Sequence, residues 1–217
     1  MGKLESYRRT YKKYGVNARA LQYTSRQAQE KRLRELVADI DFEDHRPIGP
    51  LARRGKSVLD VGCGFGDIIP FISEKTKSFE YTGVDLVPEF IEVARERYPN
   101  HRFLIANYFN NPLMSKHETQ APLMTKFDIV ITSGTLNANI KNPYRYRKKA
   151  IKIMWEHSNE IVAFNMAGGN PQPQNKKGNR VYYADLNKIV DFCKSLTTNI
   201  IIRKDYSPND FTILLFK

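Results

Sequence analysis

The stretch VLDVGCGFGD, residues 58 to 67, sets glycines at 62, 64 and 66 directly after an apolar run that holds one acid, Asp60. An apolar run of this kind reads as a strand, and the IIPFISEKT that follows has apolar residues at helical spacing. Between them, three alternate positions without side chains make a turn whose backbone a ligand can approach with no Cβ in the way. The helix N-terminus beyond it favours a carboxylate or phosphate. A strand, a glycine turn and a helix in this order commit the chain to βαβ architecture.

The rest of the sequence agrees with that commitment. Strand patterns recur at SVLDVG (57 to 62), FEYTGVD (79 to 85), RFLIAN (102 to 107), FDIVITS (127 to 133), EIVAFNM (160 to 166), NIIIRKD (199 to 205) and FTILLF (211 to 216). Helical patterns separate the first of them, with Pro88 at a helix-opening position in PEFIEVARERY. Alternation of this sort predicts an α/β fold, a doubly wound Rossmann-like sheet of seven mostly parallel strands. Short runs such as IVIT and IVAF suit strands covered on both faces. The last two strands are joined by YSPND, too short for a crossover helix, so they are expected to form an antiparallel pair.

Residues 1 to 54 show no strand pattern and are read as an N-terminal helical cap on a domain spanning 55 to 217. LQYTSRQAQEKRLRELVADI reads as a helix capped by Thr24 or Ser25. Residues 108 to 126 and 167 to 180 carry the turn residues of loops.

Composition narrows the setting. The chain has 217 residues, 41% of them hydrophobic, and no window approaches the roughly 20 apolar residues that cross a bilayer. Two cysteines, Cys63 and Cys193, build neither a disulfide framework nor a CxxC metal site, which suits a reducing cytoplasm. The net charge of +12 invites a nucleic-acid or phosphorylated partner. Its basic residues are interleaved with apolar helical positions, however, as solvated helix faces are.

A second acid sharpens the glycine turn. Asp85 ends the next strand 19 positions after Gly66, where a carboxylate accepts hydrogen bonds from both ribose hydroxyls of an adenosine-type ligand. The spacing is GxGxG preceded by an acid, rather than the GxGxxG usual for NAD. Asp60, Gly62, Gly64, Gly66 and Asp85, with FDIVITSG and the terminal strand pair, resemble the class I S-adenosylmethionine-dependent methyltransferases over residues 55 to 217. YGVNARALQYTSRQAQEKRLREL, AFNM and IRKDYSPNDFTILLF also resemble a group of bacterial methyltransferases of which some are associated with surface-polysaccharide pathways.

The resemblance implies S-adenosylmethionine as cofactor and S-adenosylhomocysteine as product. It sets the turn from Gly62 to Gly66 beside the methionine portion, Asp85 at the ribose, Asn107 near the adenine amino group, Tyr108 or Phe109 against the ring, and Ser133 and Gly134 beside the methyl, with Asp60 and Leu86 also among the cofactor-binding residues. An amide at 107 replaces the family's frequent acid and still accepts a hydrogen bond. SGTLNANI stands where base-methylating branches have Asn/Asp-Pro-Pro-aromatic, which points away from DNA adenine. The acceptor is expected to be a polar small molecule, a sugar or phosphorylated metabolite, with O-methylation favoured. Alternatives are an RNA or protein methyltransferase using the basic N-terminal segment, and a non-catalytic cofactor-binding module.

Ligands of such sheets bind outside the carboxyl ends of the strands. Candidate acceptor residues are therefore Asn137, Asn139, Tyr144, Asn165, Tyr182 and Tyr183, with Tyr23 and Gln27 facing in from the N-terminal helix. No histidine is assigned as a base, and no metal site is expected.

Overall fold

A computed structural model describes residues 3–46, 55–109 and 126–217. The sheet is built from β1 (Lys56–Val61), β2 (Phe79–Asp85), β3 (Arg102–Ile105), β4 (Phe127–Ser133), β5 (Ser158–Gly169), β6 (Ala184–Asp185), β7 (Ile200–Arg203) and β8 (Asp210–Phe216). Its order is β3-β2-β1-β4-β5-β8-β7, with the two-residue β6 on the end of β5. Strands β1 to β5 pair in parallel, while β8 runs antiparallel between β5 and β7. This is the Rossmann-like sheet with a terminal antiparallel pair that the strand spacing predicts.

Side chains alternate across the sheet as strand geometry requires. Leu59, Val61, Val130, Val162 and Phe164 face α5 (Pro143–His157) and α6 (Leu186–Lys194). Val58, Ile129, Ile131, Ile161 and Ala163 face α2 (Arg26–Val37), α3 (Ile69–Ser73) and α4 (Pro88–Arg97). With helices on both faces, β1 and β4 bury nearly every side chain, as their apolar runs imply.

Local signals place the helix starts. Ser25, one of the two expected caps, accepts from the Ala28 amide at 3.1 Å. Asp185 caps α6 through the amides of Asn187 and Lys188. Pro88 opens α4.

Several bounds differ from the sequence reading. β5 extends to twelve residues because β8 pairs along it from Ile161 to Ala167 and β6 adds to its end. The helix after the glycine turn keeps only five residues. A first helix, α1 (Lys3–Tyr14), precedes α2, and its apolar side chains Leu4, Tyr7 and Tyr11 pack on Phe65 and Phe90. Most of the expected loop 108 to 126, His117 included, lies outside the described residues.

Polar ties join the N-terminal ends of the central strands. Asp128 is buried and accepts from the Ser57 amide and hydroxyl, both at 2.8 Å, while Arg46 reaches its two oxygens at 3.2 and 3.3 Å. Burial alone would raise the Asp128 pKa; the hydrogen bonds from Ser57 and Asn159 outweigh it and hold the carboxyl below its usual value. Asp128→Ala strands the buried Ser57 amide and hydroxyl, while Arg46 keeps its pair with Asp44, so it is expected to cost about 2 to 4 kcal/mol in denaturant unfolding. A loss under about 0.5 kcal/mol, the scale of a neutral surface change, would remove this tie from the account.

Candidate cofactor and acceptor site

The chain leaves β1 toward β2 and β3 on one side, then returns to β4 and β5 on the other. The crevice at such a reversal lies outside the carboxyl ends of β1 and β4. The glycine turn sits there. The amides of Gly62 and Cys63 both donate to the Val84 carbonyl, at 2.7 and 3.1 Å, which folds the turn against β2. Gly62 has φ +78, and a Cβ on it would run into the Thr135 hydroxyl. A Cβ on Gly64 would lie 2.9 Å from the Leu21 side chain. Protein groups thus crowd this backbone too, an approach that the spacing of the glycines alone does not reveal.

Asp85 faces the same turn. One carboxylate oxygen accepts from the Gly64 amide and the other from the Val87 amide, each at 3.0 Å. A carboxylate has about four acceptor positions, and these two bonds take one on each oxygen. Leu86 beside it is exposed, as is Asn107 two positions past β3.

Tyr7 was not singled out by the sequence reading. Its phenol pKa is raised, first by burial and then by the negative charge of Asp85, which brings α1 to this edge. The signal was available: Leu4, Tyr7 and Tyr11 recur at helical spacing.

At the end of β4, three residues from distant parts of the chain meet. Tyr23 Oη lies 2.8 Å from Ser133 Oγ, and Asn165 Nδ2 donates to Ser133 Oγ at 3.1 Å. Asn165 Oδ1 accepts from the Gly134 amide at 3.0 Å. Arg32 lies over the Tyr23 ring and forms an ion pair with Asp210. Burial raises the Tyr23 pKa and the Ser133 hydrogen bond opposes it, leaving a neutral phenol at physiological pH. Gln27, expected to face in beside Tyr23, is instead exposed: it lies on the solvent face of α2, while Gln29 turns inward to Asp67.

The other acceptor candidates are tied to neighbouring backbone and to one another. Asn137 Oδ1 accepts from the Ala167 amide at 2.8 Å, and the Asn137 carbonyl accepts from the Tyr182 amide at 2.9 Å. Tyr144 and Tyr182 meet edge to face at 5.9 Å, and the Tyr144 hydroxyl accepts from the Asp185 amide. Tyr183 is tied through its backbone to Asn175.

Two expected contacts lie elsewhere. Tyr108 and Phe109 are buried in the core, and the Tyr108 hydroxyl pairs with His157 Nδ1 at 2.8 Å, so neither ring faces the crevice. An aromatic residue after β3 has the same pattern whether it packs inward or covers a ligand. Asp60 lies beneath the turn, 4% exposed, accepting from the Tyr81 hydroxyl at 2.8 Å. It supports the turn from below.

Residues 59–157 match the family model described as a methyltransferase domain. The chain thus carries a methyltransferase domain, on the fold of the class I S-adenosylmethionine-dependent enzymes. A Mycobacterium tuberculosis protein named as a methyltransferase is 24% identical to this methyltransferase over 169 residues, 74% of this chain and 93% of its own. The trans-aconitate 2-methyltransferase of Rhodopseudomonas palustris is 34% identical over 74 residues, 34% of this chain and 25% of its own. In fold, the methyltransferase is similar to the magnesium protoporphyrin IX methyltransferase of Synechocystis with bound S-adenosylhomocysteine: TM-score 0.60 at 16% identity, over 98% of this chain and 93% of that one.

The methyltransferase's crevice suits its cofactor. Three glycines at turn positions, with a carboxylate and an exposed leucine beside them, are groups of the kind that such a ligand needs.

Burial, with Asp85 and Asp67 adding to it and the Tyr81 hydrogen bond opposing, pushes the Asp60 carboxyl up to about 7. The folded chain therefore holds a proton that the unfolded chain releases near pH 4, and this contribution to stability is lost as pH rises toward 7. Asp60→Asn removes that titration. Its melting temperature is expected to gain on that of the wild type between pH 4.5 and 7.5; parallel profiles would contradict the raised value.

Proposed function

We propose that this methyltransferase transfers a methyl group to a polar small molecule, with oxygen as the favoured acceptor atom and a sugar or phosphorylated metabolite as the acceptor class. The observation that carries this reading is the edge beyond β4. There Tyr23, Ser133, Asn165 and Asn137 set hydroxyl and amide groups next to the glycine turn. When bound, S-adenosylmethionine supplies a methyl on a sulfonium, open to in-line displacement. In this reading Asp85 holds the ribose hydroxyls, Leu86 packs on the adenosine, Asn107 accepts from the adenine amino group, and Gly62, Gly64 and Gly66 admit the methionine portion.

The chain's contribution is then alignment and exclusion of water. Tyr23 and Ser133 hold a hydroxyl pair at the reacting edge, and the neutral Tyr23 orients an acceptor as a donor rather than taking its proton. Tyr144, Tyr182 and Tyr183 contribute the outer wall. Residues 1–54 act as a cap: Leu21 closes on Gly64, and Tyr7 and Tyr11 pack beside it on Phe65 and Phe90.

An RNA or protein acceptor gathered by the basic N-terminal segment draws less support. Arg8, Arg26, Arg32 and Arg34 are engaged by Glu89, Glu30, Asp210 and Glu74 within the chain. Among the described residues, no helix is long and apolar enough to cross a membrane.

Labelled methyl from S-adenosylmethionine, offered to a cell extract divided into metabolites, nucleic acid and protein, is expected to appear in the metabolite fraction. Label confined to RNA or protein would overturn the small-molecule reading. Asp85→Ala should weaken S-adenosylmethionine binding by about 2 to 3 kcal/mol, roughly 30- to 150-fold, in calorimetry. Unchanged affinity would refute the ribose contact.

A further inference from the structure

Arg147, in the second turn of α5, has no exposed surface. A guanidinium carries five N–H donors and a charge that does not titrate, so a buried one ordinarily faces a carboxylate. This one does not. Its Nη2 donates to the Tyr182 carbonyl at 3.1 Å, and the Tyr182 ring lies 4.9 Å from the guanidinium carbon. Among the described residues, Nε and Nη1 are buried with no hydrogen-bond partner. The charged or titratable groups that act on it are the phenols of Tyr182, Tyr144 and Tyr146, with burial the first influence and no carboxylate among them. Asp185, on the segment that packs against Tyr144, is committed to the first turn of α6.

Short contacts connect this cation to the methyl-transfer edge. Gly134, at the end of β4, abuts the Asn137 amide; the Asn137 carbonyl accepts from the Tyr182 amide; the Tyr182 carbonyl accepts from Arg147. The guanidinium carbon lies over the Tyr182 ring, and Tyr182 is itself only partly buried. The unused donors thus remain to be matched by an in-plane anion once the Tyr182 side chain turns aside. A buried charge left without a counter-ion lowers stability, and an anion that arrives with a ligand relieves this only in the bound state.

We propose that Arg147 anchors an anionic group, a carboxylate or a phosphate, carried by the methyl acceptor. This rests on the small-molecule reading above and narrows it: the acceptor is an acid or a phosphate ester, seated with its charge on α5 and its reacting atom toward Ser133. Asn137 and Tyr182, between the two points, set the span that an acceptor must bridge.

The test uses the full chain saturated with S-adenosylhomocysteine, titrated calorimetrically with inorganic phosphate or with succinate at constant ionic strength, chloride being the control. One of the two anions should bind wild type with a stoichiometry of one, and Arg147→Met should lower that affinity at least tenfold while S-adenosylhomocysteine affinity stays unchanged. Phosphate binding alone assigns a phosphorylated acceptor, and succinate binding alone a carboxylate. Should Arg147→Met fail to fold, Arg147→Lys decides, since it keeps the charge and loses the planar fork: weaker anion binding supports the anchor and unaltered binding overturns it. Absence of binding by wild type, or equal binding by Arg147→Met, also overturns it. Failure of the small-molecule reading has a separate sign, methyl label in RNA or protein.

Discussion

The pairing of β1 with β4 is the constraint on which the other features depend. Because the chain passes outward from β1 in both directions, the helices that follow β1 and β4 lie on opposite faces and leave an opening above the two strands. The carboxyl end of β1 does not go unused there: the Val61 carbonyl accepts from the hydroxyls of Thr132 and Thr135, at 2.6 and 3.1 Å. Those bonds hold the start of the β4 loop beside the glycine turn. The groups at Gly62 and Gly134 are neighbours for that reason, although 72 positions separate them. At the other end of the same strands, Asp128 and Ser57 lock the register, so both ends of the pair are fixed by polar contacts within an otherwise apolar layer.

The N-terminal segment is tied to this opening by three different kinds of interaction. α2 lays Leu33, Leu36 and Val37 on the sheet. Arg32 and Arg203 lock it to the terminal strand pair through Asp210, Glu35 and Asp39. Tyr23 then reaches Ser133. Apolar burial supplies most of the attachment energy, and the ion pairs fix where along the sheet the helix stands.

Much of the fold was legible because the strands obey a simple rule: those buried on both faces are unbroken apolar runs, and turn residues bound them. The glycine turn and Asp85 were legible for the same local reason. α1 was not read, although its Leu4, Tyr7 and Tyr11 carry the period, because the segment is dominated by basic residues. The Tyr23, Ser133 and Asn165 contact joins Tyr23 to strands more than a hundred residues further on, so each was nominated singly while their meeting was hidden. Tyr108 shows the opposite case, a plausible position whose direction only packing decides. Arg147 looked like one more member of a basic run, since nothing in the local pattern of α5 says which of its cations is turned inward.

The sheet ends on each side in a strand of four residues, β3 and β7. An open edge is a template on which a strand of another molecule can add, and its danger grows with the number of free amide and carbonyl groups in a row. On β7 the row is short and ends at Arg203, held by Glu35 and Asp39. The long strands with the strongest apolar character, β4, β5 and β8, are all interior. The order of strands that opens the crevice therefore also protects the molecule against sheet-to-sheet aggregation.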